Sequence, residues 1–156
     1  MSRARKETSK DVKPPGGMIQ RSILIRQAAK PLYELIQNVA EYPEFLRACR
    51  RSEIVRSRGE TQHVDHIIRY IKEFRIVLVY WFYPWDRVQW EQREGPFREL
   101  RGGWRLRDGG QQSFTELSGR LIVKPSLPVP GRIVDFIASH FLDRLLIDIR
   151  NRAEQL

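Results

Sequence analysis

The sequence predicts an α+β helix-grip fold: a curved antiparallel sheet of about seven strands around one long C-terminal helix, in the order β-α-α-β6-α. Three observations predict it. Strand-like alternation runs almost unbroken from Arg51 to Lys124, cut at short intervals by turn residues. A single long amphipathic pattern follows, from Ile133 to Glu154. The later strands are apolar on one face only, so the sheet has one face to bury and the helix one stripe to cover it.

Taken in order, Ile19 to Arg26 suits a first strand. A first helix is expected from Lys30-Pro31, where proline's missing N–H falls in the first turn and removes no bond. Leu32, Leu35, Ile36 and Val39 then share one stripe. Tyr42-Pro43 is expected to end it, because a residue before proline is pushed out of the α region. Glu44 to Cys49 is expected to form a short second helix carrying Phe45 and Leu46. Six strands follow as a meander: Ser52–Ser57, Thr61–Tyr70, Phe74–Tyr83, Arg87–Glu94, Phe97–Arg107 and Ser113–Lys124. Their connections fall at Arg58-Gly59, Lys72-Glu73, Pro84, Gly95-Pro96 and Asp108-Gly109-Gly110. Val88, Trp90 and Gln92 oppose Arg87, Gln89, Glu91 and Arg93; Leu100, Trp104 and Leu106 oppose Arg101, Arg105 and Arg107. Phe74–Tyr83 is apolar on both faces, so its second face must be covered or sticky. After the proline-rich Pro125–Gly131 connection, the last helix would be about 33 Å long. Val134, Ile137, Ala138, Phe141, Leu142, Leu145 and Ile149 make its stripe.

Length and composition narrow the classes. The 156 residues hold one ordinary domain, and 41% hydrophobic with 30% charged residues is globular composition. The longest apolar run, Ile76 to Tyr83, is far too short to span a bilayer. No apolar segment reads as a secretory signal, and the protein is expected to be cytoplasmic, with membrane association admitted. One cysteine, Cys49, and three histidines make a metal site unexpected, and no cofactor is expected. Residues 1–17 lack apolar periodicity, end in Pro14-Pro15-Gly16-Gly17 and read as a disordered basic tail, leaving 18–156 as the domain. Met18 follows that tail directly and is an alternative start. The net charge is +9, and arginine supplies 22 of the 28 basic residues. Nucleic acid, a ribosome or an anionic membrane are all admissible partners, and so is a plain ion-paired surface.

A sheet gripping a helix tends to leave a cavity. Trp90, Trp104, Phe141 and Trp81 are the large side chains expected inside it, with Gly102, Gly103 and Gly119 removing volume beside them. The same aromatics could instead fill a solid core. Candidate acids and bases are His63, Asp65, His66 and Arg69 on the third strand and His140 on the long helix. Cys49 has no evident histidine partner and reads as a structural thiol.

Tyr42-Pro43-Glu44-Phe45-Leu46, followed by Cys49, resembles the YPxFLPWC segment of the coenzyme Q-binding, RatA-type START-like family. Gly95-Pro96-Phe97, Leu100, Gly102 and Trp104 resemble its GPFxxLxGxW segment, with an extra glycine at 103. Arg47 and Ala48 stand where Pro and Trp are usual. The resemblance covers roughly residues 19–155 and places the chain with the polyketide cyclase/dehydrase and lipid-transport (SRPBCC) superfamily. It implies a hydrophobic tunnel between sheet and long helix, holding an isoprenoid quinone or another lipid. Tyr42, Phe45, Leu46, Trp81, Trp90, Phe97, Trp104, Phe141 and Leu145 are the residues expected to line it, with Tyr42, Phe45 and Leu46 as a lid. The leading expectation is a carrier or chaperone of a hydrophobic molecule. The alternatives are a ribosome-associating RatA-type toxin and a polyketide cyclase or dehydratase. The basic surface, with Arg101, Arg105, Arg107 and Arg120 on the sheet and Arg47, Arg50 and Arg51 near the second helix, would serve a ribosome.

Overall fold

A computed structural model describes residues 17–156. The tail expected over residues 1–17 lies outside the described residues except for Gly17. Strand β1 (Met18–Ile25) leads to helix α1 (Ala29–Gln37) and a 3-10 segment (Val39–Glu44). Then come β2 (Cys49–Arg58), β3 (Thr61–Tyr70), β4 (Lys72–Tyr83), β5 (Arg87–Glu94), β6 (Phe97–Asp108) and β7 (Thr115–Pro125). Helix α2 (Gly131–Ala153) follows. The strands form one antiparallel sheet in the order β1-β7-β6-β5-β4-β3-β2, curved around α2 as a helix-grip fold. Among the described residues no helix is long and apolar enough to cross a membrane.

The second helix is displaced from its expected place. The first helix stops at Gln37, because Asn38 leaves helical geometry at φ −83°, ψ 69°. Asparagine competes for the backbone with its own side chain and favours such breaks. The 3-10 segment then contains Tyr42-Pro43 rather than ending before it. Proline's fixed φ suits a short 3-10 turn, and only one hydrogen bond is lost there. Of the expected second helix, Glu44–Cys49, only Glu44 is in the 3-10 segment, Cys49 opens β2, and Phe45 to Ala48 form turns, held by Leu46 N–H to the Tyr42 carbonyl at 2.8 Å and Cys49 N–H to the Leu46 carbonyl at 2.9 Å.

One end of the interior is solid. Ile25, Leu32, Ile36, Leu117, Leu142 and Ile149 are all buried there, joining α1, β1 and β7 to the C-terminal half of α2. Polar contacts pin the same end: Gln27 Nε2 donates to the Ala153 carbonyl at 3.0 Å, and Arg26 N–H donates to Glu154 at 2.8 Å. Asp148, buried on α2, accepts from Arg47 Nε at 2.8 Å and from the Arg47 backbone N–H at 2.9 Å. Arg47 thus fastens the entry to β2 onto the helix.

Strand β4 is buried on both faces, as its sequence suggests. Ile76, Leu78, Tyr80 and Phe82 face α2, whereas Val77 and Val79 face outward. In register Val77 stands between Asp65 and Glu94, and Val79 between His63 and Glu91. Long polar neighbours therefore flank the outer valines, and the chain buries both within itself.

Candidate functional site

The antiparallel register sets which side chains face α2. Tyr80, Trp90, Gly102 and Leu121 stand in one row across β4, β5, β6 and β7; Val88, Trp104 and Gly119 stand in the next. Leu100 and Val123 continue the surface toward Phe97 and Pro125. Ile137, Phe141 and Leu145 of α2 form the roof, and Tyr42, Leu46 and Cys49 close one end. These surfaces enclose a cavity of about 470 Å³. That is within the range of roughly 300–1,000 Å³ usual for small-molecule sites.

Trp90 and Trp104 do two things at once. Their rings lie 5.2 Å apart and form part of the cavity wall. They also occupy the space that two glycines vacate. A Cβ on Gly102 would run into the Arg120 carbonyl oxygen and lie 2.9 Å from the Trp90 ring, and one on Gly119 would lie 2.6 Å from the Trp104 ring. The glycines therefore make room for indoles, and the hollow lies beside the rings rather than beneath them. Gly103 faces the other side of the sheet, in register with Gln89 and Arg120, and removes no volume from the cavity.

The mouth is marked by apolar side chains that reach water. Ile71, in the β3–β4 turn at φ +67°, is 78% exposed and Leu127 is 74% exposed; both line the cavity, as does Val129. Just outside, Ile133 and Phe136 of α2 are exposed as well.

A polar corner sits at the inner end. His66 Nε2 and the Tyr80 hydroxyl are 2.7 Å apart, and His66 Nδ1 lies 2.8 Å from Ser52 Oγ. Cys49 Sγ is 3.1 Å from Ser52 Oγ and 3.7 Å from His66 Nδ1. The Tyr42 ring stacks on the imidazole, and its hydroxyl donates to the Ile36 carbonyl. Burial lowers the His66 pKa to about 4, so the imidazole is neutral at pH 7. Burial also pushes the Cys49 thiol and the Tyr42 and Tyr80 phenols up, so all three stay protonated. The corner is a set of neutral donors and acceptors, and a protonated Cys49 is a weak nucleophile.

Of the residues expected to line the cavity, the structure brings together Tyr42, Leu46, Trp90, Phe97, Trp104, Phe141 and Leu145. It does not place Phe45 or Trp81 there. Phe45 packs edge-on against Tyr42 and beneath Arg152. Trp81 alternates onto the outer face, in register with Gln89 and near Arg93. Tyr42 and Leu46 are buried, away from the exposed rim, so they wall the cavity rather than cover its mouth. His63 and Asp65 point outward, with Asp65 gripped by Arg75 at 2.9–3.1 Å. Arg69 and His140 are exposed, the latter beside Phe136. Only His66 of the acid–base candidates reaches the cavity. The expectation that Cys49 lacks a histidine neighbour is corrected by His66. Tyr80 and the rim residues Ile71, Leu127 and Val129 were not singled out from the sequence.

A curved antiparallel sheet gripping a helix over an apolar cavity defines a START-like fold class. The chain belongs to the polyketide cyclase / dehydrase and lipid transport family, whose profile matches residues 25–150. It is 31% identical over 100 residues to the ribosome association toxin RatA of Pseudomonas aeruginosa, covering 61% of this chain and 67% of that protein. It is 28% identical over 92 residues to the protein of the same name from Vibrio cholerae, covering 55% of this chain and 60% of that one. Among solved structures, a START superfamily protein from Mycobacterium smegmatis superposes with a TM-score of 0.83 at 18% identity, covering 90% of this chain and 99% of that one. The Zhui aromatase/cyclase from Streptomyces sp. R1128 superposes with a TM-score of 0.81 at 13% identity, covering 88% and 93%.

Proposed function

We propose that the protein is a carrier or chaperone of a hydrophobic small molecule, an isoprenoid quinone or a comparable lipid, held between sheet and α2. The observation that carries this reading is the cavity of about 470 Å³, apolar except at one corner and opening through an apolar rim. Burying the ligand's apolar surface would stabilise the complex by roughly 25 cal/mol per Å², less the cost of ordering. The Tyr80 hydroxyl, oriented by His66 Nε2, would meet a single carbonyl or hydroxyl at the buried end, and the chain or rings would lie along Trp90, Leu100 and Phe141 toward Phe97. The exposed rim gives a loaded or empty carrier a place to touch a membrane surface while exchanging ligand. Native mass spectrometry and solvent extraction of purified protein test the reading. A co-purifying lipid, displaced by added quinone, is expected; no bound lipid and no quenching of tryptophan fluorescence by quinones would end it.

The likeness to the RatA proteins and the arginines on the sheet exterior favour a second reading, association with the ribosome. Cosedimentation with ribosomes at low salt, lost at high salt, is its signature. The cyclase reading draws on His66 and Tyr80. It requires turnover of a polyketide chain that ceases in His66→Gln.

A further inference from the structure

The outer face of the sheet carries a second depression, on the opposite side from the cavity. Its floor is Gly103, in register between Gln89 on β5 and Arg120 on β7. A Cβ at Gly103 would lie 2.8 Å from the Val88 carbonyl oxygen, so β5 and β6 approach too closely there for a larger residue. The resulting hollow is about 240 Å³ and is walled by Trp81, Arg87, Arg101, Arg105 and Arg120. Glu91 is the single acid in its lining.

The arginines are arranged at a cost to the sheet. Arg87 and Arg105 stand directly opposite each other on β5 and β6, and like charges so placed are destabilising. Arg87 is turned onto the Tyr83 ring at 3.9 Å and paired with Asp86, and Arg101 is paired with Glu99 at 2.7 Å. Arg105 and Arg120 have no carboxylate partner among the described residues. Two unneutralised guanidinium groups thus flank an open space with an indole on its wall.

We propose that this depression binds single-stranded RNA. One base enters the space above Gly103 and Gln89, with Trp81 as its far wall, and the phosphates on either side are held by Arg105 and Arg120. One flat aromatic wall with planar cations beside it suits one base with its neighbouring phosphates in an unpaired strand. A lipid surface would instead need exposed apolar side chains to enter it, and none of the large hydrophobic residues lining this depression is exposed, unlike Ile71, Leu127 and Val129 at the cavity mouth. The proposal is independent of what fills the cavity. It goes beyond ribosome association by naming the surface and the chemistry, and it holds or fails on free RNA.

The test uses the full chain and a fluorescently labelled single strand of about 12 nucleotides, inside the range of roughly 4–16 typical of such sites. Anisotropy should rise at low salt, with affinity falling log-linearly as salt increases. Arg105→Gln combined with Arg120→Gln should weaken binding about tenfold or more. Trp81→Leu should weaken it about tenfold through lost stacking. Circular dichroism and melting should show both variants folded; the arginine variant, altered only at the surface, keeps the test decisive if Trp81→Leu unfolds. No anisotropy change at low salt overturns the proposal. So does wild-type affinity in the double arginine variant, or tighter binding to duplex than to single strand. So does loss of binding to phosphatidylserine vesicles, rather than to RNA, in that variant. RNA binding without ribosome cosedimentation would support this site and remove only the ribosome reading.

Discussion

The two faces of the sheet use the same pair of residue types to opposite ends. On the inner face, Trp90 and Trp104 press into the space left by Gly102 and Gly119 and are almost fully buried. On the outer face, Trp81 stands two strands from Gly103, across Gln89, and among the described residues no second layer packs over the space between them. A glycine on the same sheet face as a tryptophan is therefore no sign of a binding hollow by itself. What decides is whether another layer covers that face. Inside, the indoles lie over the glycines under the α2 roof and the hollow forms beside them; outside, the uncovered space above Gly103 and Gln89 is the hollow.

The sharpest way to break this comparison is to truncate a tryptophan on each face. Trp104→Ala should cost about 3–5 kcal/mol, the usual range for deleting a large buried aromatic. Trp81→Ala should cost about 1 kcal/mol, as expected for a half-exposed position away from the core. Urea unfolding of the two variants measures both; equal losses would mean that the outer indole is as much a part of the core as the inner one.

Much of the fold was legible because it rests on two periodicities. The alternation over β5, β6 and β7 and the long α2 stripe survive any small error in boundaries. The site was less legible because face assignment depends on register, and one residue of slip moves every side chain to the other face. Trp81 was expected inside for its size, yet simple alternation from Tyr80 and Phe82 puts it outside. Alternation along β3 puts His66 on the opposite face from Asp65, but the partners of His66 were hidden by β2. An unbroken hairpin around the β2–β3 turn, with Arg58 opposite Thr61, would set Ser52 against Ile67. A bulge between Ile54 and Arg56 shifts the pairing so that Ser52 meets His66, and a second one between Cys49 and Arg51 completes the corner. Nothing in the local composition announces either bulge.

That inner corner gives the next largest effect, and it is a pH effect. Burial holds the His66 pKa near 4, whereas the free side chain titrates near 6.5. Between those values the unfolded chain binds a proton that the folded chain refuses. The stability contributed by a neutral His66 is fully present above pH 6.5 and falls as pH drops toward 4, by about 1.4 kcal/mol per unit. At pH 5 the loss is about 2 kcal/mol. His66→Gln should flatten this dependence. Unfolding curves at pH 7.5 and 5 measure it, and the idea of a dry corner fails if the His66 variant keeps the wild-type slope.

A smaller effect separates charges on the two sides. Asp148 is buried on the inner side and held by two hydrogen bonds from Arg47. Asp148→Asn should cost about 1.5 kcal/mol, at the low end for hydrogen bonds to a charged group, since Arg47 is half-exposed. Thermal melts at low and high salt should show this loss largely unscreened, because the carboxylate lies out of solvent.

The outer-face arginines should give the smallest effect, and one of opposite sign. Arg87 and Arg105 face each other across β5 and β6, so neutralising one relieves a repulsion. The Asp86 carboxylate beside Arg87 already offsets part of it. Arg105→Gln should therefore raise stability by a few tenths of a kcal/mol, about 0.2–0.5, in low salt. The gain should vanish near 1 M salt, where screening acts over about 3 Å. A surface residue that weakens the fold while it strengthens binding to a polyanion is the pattern expected where stability is exchanged for function. If Arg105→Gln instead lowers stability in low salt, the guanidinium is bracing the sheet, and the outer face loses its claim to be a surface kept for a partner.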